Sequence, residues 1–355
     1  VIERDTPIRV VQCGIGAMGT EMLRLLTDDP GVTVVGAVDV DPEKVGQDVG
    51  AITGGGDVGI EVADDLESVL EATEPDAVCL ATADAAAEAM VADLLTCLRA
   101  GADVVSSNGG FFYPYRTHPV LARKVDRVAR KNDASVLCTG LNPGFALDTL
   151  VVALTAVSES IDAIEASRTV DFSPYGAGVL EPGGFGLAPD EWTRRRDAGD
   201  LAGHESFPAQ IQMIADGIGL DLDAVVQREF DPVVADEHRP VASEYPDIEA
   251  GAVAGFEQTY AGLVDGDPVV TLTLAAVVDP AASGLEGGDR IAIRGVPDTT
   301  VTTEAPFEPG PTTWATVVNA LPNVSNADPG LKTMLDLPLP SASLGDMRKF
   351  LDPDR

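Results

Sequence analysis

The run "IRVVQCGIGAMGTEMLRLL", Ile8 to Leu26, limits the possible folds more than any other stretch of the chain. An apolar, strand-like hexad leads into Gly14-x-Gly16-x-x-Gly19, and apolar residues then recur at helical spacing. At such a junction the first glycine permits a tight turn, and the second lets the backbone approach a pyrophosphate. The third lets helix and strand pack closely, and the helix N-terminus is left to bind an anion. Gly14, Ile15, Gly16, Ala17, Met18 and Gly19 are therefore candidate cofactor residues. A second strand-like run, "VTVVGAVD", ends in Asp39, 20 residues beyond Gly19. A carboxylate there accepts hydrogen bonds from the adenosine ribose and repels a 2′-phosphate, so NAD is expected, with Lys44 keeping NADP possible.

Strand and helix signals continue to alternate through "DAVCLAT", "AAAEAMVADLLTCLRA", "DVVSS", "HPVLARKVDRVARKN" and "SVLCTG". This alternation predicts an α/β unit: an N-terminal Rossmann domain with a doubly wound parallel sheet over residues 1–145. Ligands of such sheets bind beyond the carboxyl ends of the strands. Thr82, Ser107, Asn108, Asn142 and Pro143 fall at such ends and join the cofactor set. The stretch "SSNGGFFYP" follows one of them, and its Phe111, Phe112 and Tyr113 are expected to wall the cofactor and substrate.

Beyond Phe145 the rhythm changes. Long strand-like runs from Ala224 onward, two of them joined by "DGD" at 265–267, predict an open, mostly antiparallel sheet with some helices. This α+β substrate domain is expected over residues 146–324. The Gly/Pro-rich "SPYGAGVLEPGGFGLAPD" within it is expected to be a loop that closes over the site.

Charge narrows the partners. Acidic residues outnumber basic ones 58 to 23, only five lysines occur, and the formal net charge is −35. Such a surface repels nucleic acid and anionic membranes, leaving a small-molecule substrate as the expected partner. The acid is spread along the chain, a distribution suited to multimolar salt, so a halophilic protein is expected. No apolar run reaches the roughly 18 residues of a membrane span, and "VIERDTPIRV" carries no apolar signal core; a cytoplasmic location is expected. Cys13, Cys79, Cys97 and Cys138 lack paired metal spacing and are expected to be buried hydrophobes, with no metal site.

The blocks "VVQCGIGAMG", "DVDPEKVG", "GLNPGFALDTL", "GHESFP" and "PGLKTMLDLPLP", in this order, resemble the 2,4-diaminopentanoate dehydrogenase family, within the wider group of dihydrodipicolinate reductase-like folds. The resemblance implies reversible hydride transfer between a nicotinamide and a carbon bearing nitrogen. It also implies a C-terminal segment, 325–355, returning to the first domain, while the free face of the substrate-domain sheet leads to the expectation of a homodimer or homotetramer built through it. His204 matches a histidine of a family block, and Arg168 a basic position suited to clamping a substrate carboxylate. The alternatives are a capping histidine and a surface arginine paired with Asp171. Tyr113 and Tyr175 are candidate proton donors or pocket walls. The residues "RRR" at 194–196 are expected on a solvated helix face, and His238 in a polar loop.

Two departures from the family pattern stand out. Relatives of the amine dehydrogenase type carry a glutamate after the fifth strand that orders the attacking water or ammonia, and Gly109 or Gly110 stands there instead. The paired histidines of dihydrodipicolinate reductases are absent, because His118, His204 and His238 are far apart. Three functions therefore remain open: a dehydrogenase of an amine or amino acid, one acting on a carbonyl or hydroxy substrate without nitrogen, and a cofactor-binding protein without catalysis.

Overall fold

The computed structural model describes residues 6–82 and 87–352. Residues Val1 to Asp5 of the N-terminal stretch and the expected start of the alanine-rich helix at Ala85 lie outside the described residues. The chain divides into two compact units, Val1–Phe145 with Glu308–Arg355, and Ala146–Phe307.

In the first unit, β1 (Ile8–Cys13), β2 (Val32–Val38), β3 (Val62–Ala63), β4 (Ala77–Leu80), β5 (Asp103–Ser106) and β6 (Ser135–Cys138) form one parallel sheet in the order β3-β2-β1-β4-β5-β6. Every residue of β4 and β6 is buried, the pattern of strands covered by helices on both faces. The helices Ala17–Asp28, Ala87–Arg99 and Pro119–Lys131 lie between successive strands. The strand order reverses direction beside β1, which places a ligand crevice at the carboxyl ends of β1 and β4.

The second unit holds β7 (Ser160–Asp171), β8 (Ala224–Val234), β9 (Val253–Val264), β10 (Asp267–Val277), β11 (Gly288–Val296) and β12 (Thr299–Thr302), in the order β12-β11-β7-β10-β9-β8. Only β7 and β10 pair in parallel; the other neighbours are antiparallel. The β9–β10 turn puts both Asp265 and Gly266 at positive φ, the geometry that matches the twist of a tight hairpin. One sheet face is lined by Ile164, Ala166, Val170, Phe256, Leu272, Ile291 and Ile293, which share a core with Phe185, Trp192, Phe207 and Ile211.

The chain then re-enters the first unit. The helix Pro309–Ser325 packs on the helix Ala17–Asp28 and on β4, β5 and β6, and β13 (Gly330–Lys332) pairs in parallel with β6. The return thus begins at Glu308 and not at 325, because this helix covers the parallel sheet and not the antiparallel one.

Two further expectations change. The Gly/Pro-rich stretch contains the helix Ala177–Gly183, and Leu180 and Phe185 are buried in the core of the second unit, so it is packed structure and not a free loop. Arg196 is not simply solvated. Its guanidinium lies 5.8 Å from the Trp192 ring centroid and donates to the Phe230 carbonyl at 3.0 Å, while Arg194 and Arg195 pair with Glu191 at the surface. Among the described residues, no helix is long and apolar enough to cross a membrane.

Candidate functional site

The dinucleotide fingerprint has the geometry its glycines require. Gly14 has φ +82°, and a Cβ there would sit 2.5 Å from the Ala81 carbonyl oxygen of the neighbouring strand end. A Cβ on Gly19 would stand 1.9 Å from the Gly14 carbonyl oxygen, so helix and turn meet only because that atom is missing. Gly16 differs: it is exposed, nothing lies within 4 Å of its Cβ position, and no side chain caps the helix it begins. Gly16 and Ala17 therefore present an open, uncapped helix N-terminus, the surface a pyrophosphate needs. Ile15 is buried beneath it and Met18 is half-buried.

Asp39, at the end of β2, ties this turn together. One carboxylate oxygen accepts from the Ile15 amide at 2.6 Å and the other from the Asp41 amide at 2.9 Å. The second lone pair of each oxygen remains for ribose hydroxyls. Lys44 Nζ lies 3.6 Å from Asp39 and 3.3 Å from Asp41, so a cation sits beside the carboxylate that would oppose a 2′-phosphate. Thr82 follows β4 and is half-buried, and the Ser107 amide donates to the Leu80 carbonyl at 3.0 Å. Asn142 and Pro143, joined by a cis peptide bond, follow β6.

The loop after β5 differs from its expected form. Phe111 does not wall a pocket: it is fully buried as a member of the Rossmann core, with its ring centroid 6.4 Å from that of His118. The apolar demand of the helix layer takes this side chain inward. Phe112 and Tyr113 are also buried, and Tyr113 meets Tyr115 edge to face at 5.8 Å. Asn108 is 4% exposed; its side-chain oxygen accepts from the Gly110 amide at 3.0 Å, which leaves no carboxylate in this turn.

The polar groups of the second unit converge on the covered face of its sheet. Arg168 alternates with Ile164, Ala166 and Val170 on β7, so it points the way those core residues do. Asp289 alternates likewise with Ile291 and Ile293 on β11, and Gln258 with Phe256 on β9. Register aligns them: Asp289 pairs with Arg168, Arg168 with Leu274, and Leu274 with Gln258. A charged pair and an amide thus cross the sheet in one row among apolar neighbours.

Arg168 is buried, with Nη1 3.1 Å from Asp289 Oδ1 and Nη2 donating to the Phe307 carbonyl. The Nη1–Oδ1 approach is off hydrogen-bond geometry at both atoms. Burial pulls the arginine pKa down, opposed by the charge of Asp289; it pushes the Asp289 pKa up, opposed by Arg168 and by the Phe307 amide. The alternative pairing with Asp171 is not formed, since that carboxylate caps the Ser173 and Asp279 amides. The guanidinium is already engaged, and a substrate carboxylate would have to displace Asp289 to be held by two bonds.

His204 joins the same cluster. A Cβ on Gly203 would lie 2.5 Å from the Gln258 side chain, so glycine is what lets the chain pass this close. The His204 amide then donates to Gln258 Oε1 at 2.6 Å, and its ring packs against Phe207 with centroids 4.5 Å apart. Its Nε2 lies 3.0 Å from Gln210 Oε1, and Gln210 Nε2 donates to Asp148 Oδ2 at 2.8 Å. Burial lowers the His204 pKa from 6.5 to about 4; the Gln210 contact opposes this shift and the Arg168 charge adds to it. Tyr175 is near enough to feel Arg168, and burial raises its pKa. The structure thus brings together His204, Arg168 and Tyr175, while Tyr113 belongs to the other unit. His238 is half-exposed beside Asp247.

Sequence reasoning misses Asp289, Gln258, Gln210 and Asp148. The available signal is a polar residue at an inward position of an alternating strand, as in "GDRIAI" and "GFEQTY". The four cysteines are buried and unpaired, and burial raises the pKa values of Cys13, Cys79 and Cys138 to about 12.

Comparisons with known proteins agree with this arrangement. Residues 8–118 match the N-terminal domain of dihydrodipicolinate reductase, a nicotinamide dinucleotide-binding module, and residues 145–353 match the C-terminal domain of 2,4-diaminopentanoate dehydrogenase. The 2,4-diaminopentanoate dehydrogenase of Acetoanaerobium sticklandii is 34% identical over 97% of both chains. An amine dehydrogenase of Streptomyces virginiae is 27% identical over 94% of this chain and 96% of its own. The structure of the amine dehydrogenase from Mycobacterium smegmatis superposes with a TM-score of 0.82 at 25% identity, covering 96% of this chain and 99% of that one. With a dinucleotide site on one unit and a buried polar row on the other, the chain is an NAD(P)-dependent oxidoreductase and belongs to the 2,4-diaminopentanoate dehydrogenase family.

Proposed function

We propose that the protein oxidises, reversibly and with NAD in preference to NADP, a carbon bearing the amino group of a small amino acid or amine. The observation that carries this reading is the His204 imidazole held by Gln210 and Phe207 in one cluster with the Arg168–Asp289 pair, where burial favours its neutral form. A substrate ammonium must lose a proton before its nitrogen lone pair can assist departure of the hydride, and a neutral imidazole accepts that proton. A nicotinamide dinucleotide, when held at the Gly14–Gly19 turn, would supply the hydride acceptor. In balance, one protonated amine, one oxidised NAD and one water give one carbonyl compound, one ammonium ion, one NADH and one proton. Arg168, paired with Asp289, disfavours protonation of His204. Tyr175, beside Arg168, borders the same cluster.

A second reading, a dehydrogenase of a hydroxy or carbonyl substrate, is favoured by one feature: the Asn108-Gly109-Gly110 turn has no carboxylate to order water or ammonia. General-base help of that kind contributes about 10²–10⁴-fold, so ammonia-dependent NADH oxidation is expected to be slow in the parent. It is expected to rise in Gly109→Glu or Gly110→Glu. The assay is run with keto acids and ketones plus ammonia, and in reverse with amines, amino acids and hydroxy acids. Turnover of hydroxy acids with no amine oxidised by any of the three proteins would replace the first reading with the second.

A further inference from the structure

Gln210 is fully buried on the helix Phe207–Ile218, between a carboxylate and an imidazole. An amide has a donor end and an acceptor end, and here its surroundings decide which way it faces. Asp148, also fully buried, offers oxygen acceptors and caps the Thr149 amide at the start of the helix Thr149–Thr155. Turning the Gln210 oxygen toward that carboxylate would set two acceptors against each other, so Nε2 faces Asp148 at 2.8 Å and Oε1 faces His204 at 3.0 Å. An amide oxygen only accepts, and it therefore requires a hydrogen on His204 Nε2. A neutral imidazole carries one such hydrogen, which leaves the lone pair on Nδ1.

We propose that Gln210 is a positioning residue for His204: anchored by Asp148, it holds the imidazole in the Nε2–H tautomer, so that Nδ1 is the atom that receives the substrate proton. The tautomer follows from the geometry once burial keeps the ring neutral; the use made of Nδ1 rests on the function proposed above. Other features fit this assignment. Among the described residues no protein group hydrogen-bonds Nδ1, while the other fixed contacts of His204 are its backbone bond to Gln258 and its ring contact with Phe207. The two glutamines divide the task, one fixing the backbone and the other the ring.

The sequence makes a direct test practical, because it contains only three histidines. The full-length protein is prepared with ring-15N histidine, and His204 is assigned by comparison with His204→Gln. At pH 7 the parent is expected to show His204 as a single Nε2–H tautomer, and Gln210→Met a mixture of both. In Gln210→Met, kcat for the best amine substrate is expected to fall about tenfold to a hundredfold, with KM changed by less than about threefold, because part of the proton-transfer contribution is lost. Asp148→Asn, which keeps a side chain able to cap the helix, is expected to give an intermediate tautomer mixture. An Nδ1–H tautomer in the unaltered protein overturns the proposal, and needs no variant to fold. An unchanged tautomer in folded Gln210→Met overturns it too. The expected tautomer in a protein that oxidises no amine would leave the positioning intact and refute only the proposed reaction.

Discussion

The depressed pKa of His204 makes a quantitative statement about acid stability. The unfolded imidazole takes up a proton around pH 6.5, whereas the folded one resists until about pH 4. The neutral form is the one the fold accepts, so the stability tied to this group is fully present above pH 6.5 and is lost as pH falls through the window between 6.5 and 4. Linkage puts the loss at about 0.2 kcal/mol at pH 7, about 2 kcal/mol at pH 5 and about 3 kcal/mol at pH 4, upper figures because the ring keeps some solvent contact. The clean comparison is between the parent and His204→Gln, since every carboxylate titrates alike in both and the fixed cost of the substitution cancels. Urea unfolding at pH 7 and pH 5 in constant salt gives the two stabilities. The gap between parent and variant is expected to shift by about 2 kcal/mol in favour of the variant on acidification. Stabilities that fall in parallel would show that His204 titrates near its ordinary value, and the burial assigned to its ring would be refuted.

Other perturbations probe the rest of the molecule. Asp39→Ala is expected to weaken NADH about tenfold to a hundredfold while sparing NADPH, as fluorescence titration would report; equal affinity of the parent for both cofactors would remove the preference assigned to Asp39. Asp289→Asn leaves the Arg168 guanidinium buried without its counter-ion and is expected to cost about 3–5 kcal/mol in chemical unfolding. The Arg168→Met/Asp289→Leu double variant is expected to recover most of that loss, whereas a cost below about 1 kcal/mol for Asp289→Asn would show the pair to be solvated. With a formal charge of −35, the melting temperature is expected to climb steeply as potassium chloride rises from about 0.01 M to about 1 M and the Debye length shrinks from about 30 Å to about 3 Å; a flat series would refute adaptation to high salt.

The elements that can be read from sequence are those whose signals are local. Gly14 and Gly19 each answer to a steric demand within one turn, and Asp265-Gly266 to the twist of one hairpin, so spacing alone locates them. The short strands β3 and β13, two and three residues long, carry no periodicity and exist only because a neighbouring strand offers an edge. The helix Pro309–Ser325 is recognisable as a helix, but its partner is not, because an apolar face does not say which sheet it will cover. The site divides in the same way. His204 and Arg168 are reachable through motif and strand position. Asp289 becomes a partner of Arg168 only through the register of β11 on β7, some 120 residues apart in sequence, and Gln210 through a helix turned toward Asp148. Phe111 departs from expectation for a related reason: an aromatic at a strand end can turn toward core or crevice, and the packing of the helix layer decides.

The C-terminal return gives the nucleotide unit an unusual relation to the order of synthesis. β1 through β6 leave the ribosome first, but β6, buried along its whole length in the finished protein, keeps an open edge until β13 is made. One face of β4, β5 and β6 likewise stays uncovered until the helix Pro309–Ser325 emerges. The intervening unit is contiguous and owns a complete core, so it can close while its predecessor waits. The unit begun first is therefore the last to be completed, and during that interval its unpaired strand edge and apolar face are what a chaperone would have to shield.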